Sequence, residues 1–157
     1  MAKEIERKFL VNRDLFKPTS EGDYIAQGYL SSTPERTVRV RIKNNRGYLT
    51  VKGKNTGISR SEFEYAIPVN DAKELLELCE PSIIIKRRYN INFNGSKWEV
   101  DVFEGDNEGL IVAEIELASE DESFSKPDWI GEEVSFDVRY YNSHLSKQPF
   151  KSWSLQS

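Results

Sequence analysis

Charge alternates with apolar side chains at every second position over most of this chain, and that period constrains the fold more than any other feature. Residues 4–11, "EIERKFLV", put Glu4, Glu6 and Lys8 on one face of an extended strand and Ile5, Arg7 and Phe9 on the other. The same pattern returns in "TVRVRIK", "LTVKGK", "SEFEYAI", "IIIKRRYNI", "WEVDV" and "VAEIEL". Such a period fits strands and cannot be wound into an amphipathic helix. The chain is read as eight strands, at 3–11, 23–31, 37–44, 47–54, 61–68, 83–93, 97–104 and 111–118. Turn signals "STPE", "NNRG", "NGS" and "GDNEG" separate several of them. A helix is predicted over 70–79, capped by Asn70, with Leu75, Leu76 and Cys79 on one side. Further helices are expected near 119–125 and 139–147, the last ended by Pro149. The fold class is α+β, mainly β and antiparallel, either closed or sandwiched.

The charges segregate by strand. Eight acids (Glu4, Glu6, Glu62, Glu64, Glu99, Asp101, Glu114, Glu116) and eight bases (Lys8, Arg39, Arg41, Lys43, Lys52, Lys54, Lys86, Arg88) occupy the ionic faces. A β-sandwich with its charges in water is one way to accommodate them. Solvated faces usually mix in Ser, Thr and Gln, however, and like charges at i and i+2 repel. The alternative is a closed barrel whose ionic faces line a lumen and whose apolar faces are covered by helices. Paired carboxylates on neighbouring strands suit a hard cation such as Mg²⁺ or Mn²⁺, and facing rows of Arg and Lys suit phosphate oxygens.

Composition narrows the possibilities. The 157 residues carry a net charge of −4, so no overall basic excess points to nucleic acid or an anionic membrane. A lone Cys79 excludes an intrachain disulfide and suits a reducing compartment, and the chain shows neither a signal-peptide pattern nor an apolar run of spanning length. One cytoplasmic, soluble domain over 1–157 is expected, without nucleic-acid or membrane partners, as a monomer or homodimer. "KGKNTG" at 52–57 lacks the Walker spacing and reads as a hairpin or flap. His144 and the three tryptophans read as surface or packing residues, and "ASEDES" at 118–123 as a solvated helix start.

The order of the pieces "EIERK", "QGYL", "VRVR", "LTVK", "SRSEFEYAI", "IKRRY", "WEVDVFEG", "AEIEL" and "GEEVSFDVRYYN" resembles the CYTH domain, or triphosphate tunnel metalloenzyme, superfamily over nearly the whole chain. The resemblance implies an eight-stranded antiparallel tunnel that binds a triphosphate with Mg²⁺ or Mn²⁺ and hydrolyses it. It implies Glu4, Glu6, Glu114 and Glu116 as the main metal carboxylates, with Glu62, Glu64, Glu99 and Asp101 as further ligands or supports. It implies Lys8, Arg39, Arg41, Lys52, Lys86 and Arg88 as the phosphate cradle, with Arg60 and Arg139 at its ends. Tyr29 and Lys86 are the candidate proton-handling pair. The short chain looks most like small bacterial inorganic tripolyphosphatases. A class IV adenylate cyclase, a thiamine triphosphatase and a non-catalytic polyphosphate-binding module stay open as alternatives.

Overall fold

The computed structural model describes residues 5–54 and 61–153. Every expected strand forms: β1 (Ile5–Val11), β2 (Asp23–Thr33), β3 (Arg36–Lys43), β4 (Arg46–Gly53), β5 (Glu62–Ile67), β6 (Glu80–Phe93), β7 (Ser96–Glu104) and β8 (Ile111–Leu117). A ninth, β9 (Ile130–Glu133), was not anticipated, because its four residues offer one apolar side chain and no alternation. All nine belong to one sheet in the order β5-β4-β3-β2-β6-β7-β8-β1-β9, antiparallel throughout. A single sheet replaces the sandwich alternative. Eight strands closed into a barrel is corrected in count and in closure: among the described residues, β5 and β9 are edge strands with no ladder between them.

The turns form where their residues permit. Asn94 and Gly95 both take positive φ, 48° and 82°, the conformation a two-residue hairpin demands, and so join β6 tightly to β7.

The expected helix becomes α1 (Val69–Glu77), entered from Pro68 rather than capped by the Asn70 side chain. It lies on the apolar side of β3 and β4, where Ala72 is buried with Val40 and Ile42, and Leu75, Leu76 and Cys79 pack alongside. Gly47 permits this approach, since a Cβ there would stand 2.8 Å from the Ala72 Cβ. No helix forms at 119–125: this run holds one apolar residue, Phe124, and lacks the stripe needed to pay for ordering. The span 139–147 breaks into a 3₁₀ turn, Val138–Tyr140, and α2 (Asn142–Leu145), because the Asp137 side chain accepts from Arg139 N and Tyr141 is extended. A short α3 (Phe150–Trp153) follows Pro149.

The remaining apolar face is covered by loops, not by helices as expected. Phe16 from 12–22 and Trp129 from 118–129 close over Phe9, Tyr89, Trp98, Val100 and Ile115, with edge-to-face ring contacts at 5.1–6.1 Å. Trp98 is thus a packing residue, as read. On the opposite face, Ile84, Phe103 and Val112 continue the parity of the charged residues and are sealed by Leu145 of α2. The ionic face is therefore apolar and capped at one end.

Candidate active site

Register converts the period-two pattern into one charged surface. Tyr29 and Gln27 of β2 stand opposite Arg39 and Arg41 of β3, and Thr50 of β4 opposite Arg39. Across the sheet, Arg88 of β6 faces Asp101 of β7, Glu99 faces Glu114 of β8, and Glu114 and Glu116 face Lys8 and Glu6 of β1. The sheet order therefore gathers the basic residues of β4, β3 and β6 on one half and the acids of β7, β8 and β1 on the other, with Lys8 of β1 among the acids. Side chains from β3 and β4 line the same cavity of about 470 Å³ as side chains from β8 and β1, so the sheet curls far enough for its basic half to face its acidic half.

Five cations, Lys8, Arg39, Arg41, Lys52 and Arg88, border this cavity with three carboxylates, Glu6, Glu99 and Glu114. Tyr29, Ser135, Tyr141 and Asn142 complete the wall. Two donors embedded in the basic half, Gln27 Nε2 and Arg39 Nε, are buried without a hydrogen-bond acceptor among the described residues, although Gln27 Oε1 accepts from Arg41 Nε at 2.8 Å. A wall in which donors exceed acceptors has the chemistry to receive an anion. Arg41 is held down to about 10 by its burial and then by the neighbouring charges of Arg39 and Arg88, a cost that a bound anion would relieve.

Beneath the cavity lies a buried ion triad. Asp101 accepts from Arg88 Nε and Nη2 at 2.8 and 3.0 Å and from Lys86 Nζ at 2.8 Å. Burial alone would raise the Asp101 carboxyl, but Lys86 and Arg88 overcome it and hold the group well below the usual carboxylate range. Burial likewise opposes the charge on Arg88, and the bonds and charge of Asp101, then Glu99 and Glu114, outweigh it and keep the guanidinium firmly protonated. Lys86 has no exposed surface, and burial lowers its proton affinity against the pull of Asp101. At the acidic side, Lys8 Nζ bridges Glu114 at 3.4 Å and the Tyr140 carbonyl at 3.2 Å, and Arg88 reaches Glu99 at 3.3 Å.

The structure sorts the expected residues. Lys8, Tyr29, Arg39, Arg41, Lys52 and Arg88 converge with Glu6, Glu99 and Glu114 on one cavity, while Glu116 lines an adjoining one of about 490 Å³ that shares Glu99 and Glu114. Lys86 and Asp101 lie behind the wall, paired to each other. Glu62 and Glu64 sit on the edge strand β5: Glu62 is 3.9 Å from Lys52, and Glu64 accepts from Thr50 Oγ1 at 3.3 Å. Arg139 lies outside the cavity lining, held by Asp137 at 2.6 Å and stacked near Tyr140 and Trp153. Glu4, Arg60 and residues 55–57 of the 52–57 loop fall outside the described residues. Gln27, Thr50, Ser135, Tyr141 and Asn142 were missed, because neutral polar residues leave no trace in a charge pattern; only the motifs "QGYL" and "GEEVSFDVRYYN" passed near them.

The carboxylates offer the hard oxygen donors that a divalent cation takes. The opposed pairs Glu6–Glu116 and Glu99–Glu114 bring like charges together across strands, which a cation would offset. Among the described residues, no three such side chains converge as a ligating cluster.

Known proteins align with this chain over nearly all of its length. The model of the CYTH domain matches residues 2–148. An inorganic triphosphatase of Acetivibrio thermocellus is 54% identical over 154 residues, covering 98% of this chain and 99% of the relative. One from Nitrosomonas europaea is 36% identical over 151 residues, covering 91% and 96%. The crystal structure of the inorganic triphosphatase NE1496 superposes with a TM-score of 0.75 at 35% identity, covering 93% of this chain and 95% of that one. The match spans every strand that builds the cavity, and this chain belongs to the CYTH domain family.

Proposed function

We propose that this protein hydrolyses inorganic triphosphate to pyrophosphate and phosphate with a divalent cation, Mg²⁺ or Mn²⁺. The observation that carries the reading is the cavity that five cations and three carboxylates line together on a curled sheet, in a chain similar to inorganic triphosphatases over nearly all of its length. The reading treats 1–157 as one CYTH domain and places the protein in the cytoplasm as a monomer or homodimer.

Arg39, Arg41, Lys52, Arg88 and Lys8 hold the phosphate chain, the arginines by paired N–H donors and the lysines as point charges. Arg60 is the outlying member of the set, and Arg139, bound to Asp137 outside the cavity lining, is left out of it. Glu4, Glu6, Glu114 and Glu116 would hold the cation, with Glu99 beside them and Glu62 and Glu64 on the far edge. The cation would supply charge neutralisation at the phosphate oxygens. Asp101, with both oxygens taken by Lys86 and Arg88, acts as a support rather than a ligand.

Water attacks a terminal phosphorus in line, the new P–O bond forms as the anhydride P–O bond breaks, and pyrophosphate departs. The fixed guanidinium groups stabilise charge as it spreads over the oxygens and moves to the leaving group. The Tyr29 hydroxyl, in the cavity wall, handles the proton of the attacking water, and Lys86, buried behind the wall and paired with Asp101, acts on it only through the charge it places there. Tyr29→Phe and Lys86→Met should each alter the pH–rate profile, and unchanged profiles would remove both from that role.

The direct test is phosphate release from tripolyphosphate with Mg²⁺, Mn²⁺ or EDTA, comparing the native protein with Glu116→Gln and running ATP and thiamine triphosphate in parallel. Fast, metal-dependent release that favours tripolyphosphate and is lost in the variant is expected. Cyclic AMP with pyrophosphate from ATP would identify a cyclase, preference for thiamine triphosphate would reassign the substrate, and tight binding without turnover would leave a binding module.

A further inference from the structure

Asn142 opens α2 and belongs to the "GEEVSFDVRYYN" segment, from which only Arg139 was assigned a role. It is held from two directions. Leu145, one turn on, has no exposed surface and is packed among Ile84, Phe103, Leu110 and Val112. Further along, Phe150 N donates to Asn107 Oδ1 at 2.8 Å, fastening the chain that follows α2. Asn142 is consequently presented to the cavity by a packed element rather than a loose tail.

The orientation of its amide follows from chemistry. Lys86 Nζ lies 3.4 Å from the side chain, and an ammonium only donates, so the oxygen Oδ1 must face Lys86. The Nδ2 group is then turned away, with no hydrogen-bond partner among the described residues, on a side chain that lines the cavity. Its cavity neighbours include Lys8, whose ammonium is 5.4 Å from the Tyr141 ring, and Ser135, whose Oγ accepts from Lys8 N at 3.0 Å. A neutral donor thus stands at the capped end of a cationic cradle.

We infer that Asn142 is a substrate-contacting residue whose Nδ2 donates to a phosphate oxygen of bound triphosphate while Lys86 fixes its Oδ1. The inference rests on the triphosphatase reading above and adds to it a specific ligand-binding residue contributed by the C-terminal segment. Its neutrality matters, because it gives a directed hydrogen bond without adding to the repulsion among the neighbouring cations.

The test measures tripolyphosphate binding by calorimetry and steady-state kinetics on the full-length native protein, Asn142→Ala and Asn142→Asp, with the unfolding midpoint of each without ligand. Asn142→Ala should weaken tripolyphosphate binding about tenfold, the loss of one hydrogen bond to a charged acceptor, with the effect in KM rather than kcat. Asn142→Asp keeps an acceptor for Lys86, so it should fold at least as well as the native chain yet bind tripolyphosphate more weakly than Asn142→Ala. Native tripolyphosphate affinity in Asn142→Asp overturns the inference. So does native affinity in Asn142→Ala. If the native protein itself neither binds nor hydrolyses tripolyphosphate, the functional reading fails and this inference falls with it. Native turnover with an unaffected Asn142→Ala removes the inference alone.

Discussion

Replacing Asp101 by Asn tests whether the floor of the cavity is an ion triad or an incidental contact. The carboxylate accepts three charged hydrogen bonds at 2.8–3.0 Å, two from Arg88 and one from Lys86, and Lys86 has no exposed surface. Asparagine keeps one acceptor and turns an N–H toward groups that only donate, leaving a buried ammonium without its counter-charge. Breaking a buried pair from one side costs about 3–5 kcal/mol. For a chain of this size that is a fall of roughly 6–20 °C in the unfolding midpoint, read by calorimetry or circular dichroism. The pH dependence has a definite sign. Folding lowers the Asp101 carboxyl below its unfolded value of about 3.9, so its stabilisation is complete above that pH and is lost as pH falls through and below it. Asp101→Asn should be deficient across the neutral range and show a shallower acid limb. Adding Lys86→Met should recover part of the loss, because it removes the uncompensated charge. A midpoint within 2 °C of the native protein at pH 7, on the scale of about 2–4 °C per kcal/mol, would refute the argument.

Glu116→Gln removes one member of the opposed Glu6–Glu116 pair and should raise ligand-free stability by about 0.2–1 kcal/mol while abolishing metal-dependent phosphate release; thermal melts and a phosphate assay on the same sample check both halves. Leu145→Ala opens a void among Ile84, Phe103, Leu110 and Val112, with an expected loss of about 2–5 kcal/mol in urea unfolding. Arg139→Ala should leave the rate unchanged, since its guanidinium is bound to Asp137 away from the cavity, and a large drop in kcat/KM would place it back in the cradle.

What was legible in the sequence followed from alternation. Period-two segments identified all eight long strands, and parity alone placed Lys8, Arg39, Arg41, Arg88, Glu99 and Glu114 on one face before any register was known. Parity says which face a residue shares but not how far along the sheet it lies or how deep. Thus Lys86 and Asp101 have the same pattern as their neighbours, yet they are buried as a pair, and Glu62 and Glu64 obey the rule on an edge strand at the opposite end of the strand order from the other acids. The C-terminal segment was the least legible. Its position depends on Leu145 finding the apolar end of the ionic face and on Asn107 holding Phe150, long-range contacts with no local signature.

The balance of charge explains why such a site needs both kinds of residue. A chain of net charge −4 cannot attract a polyanion through its overall field. The cavity reverses the sign locally, but only by two, with five cations against three carboxylates. A triphosphate carries more negative charge than that excess, and a wall of arginine and lysine alone could supply the rest only by burying more like charges, a strain already visible in Arg41. Placing carboxylates on the facing strands allows a divalent cation to complete the neutralisation. It also makes the part of the neutralisation beyond that excess of two conditional on the metal, so binding of the polyanion should depend on the divalent cation as turnover does.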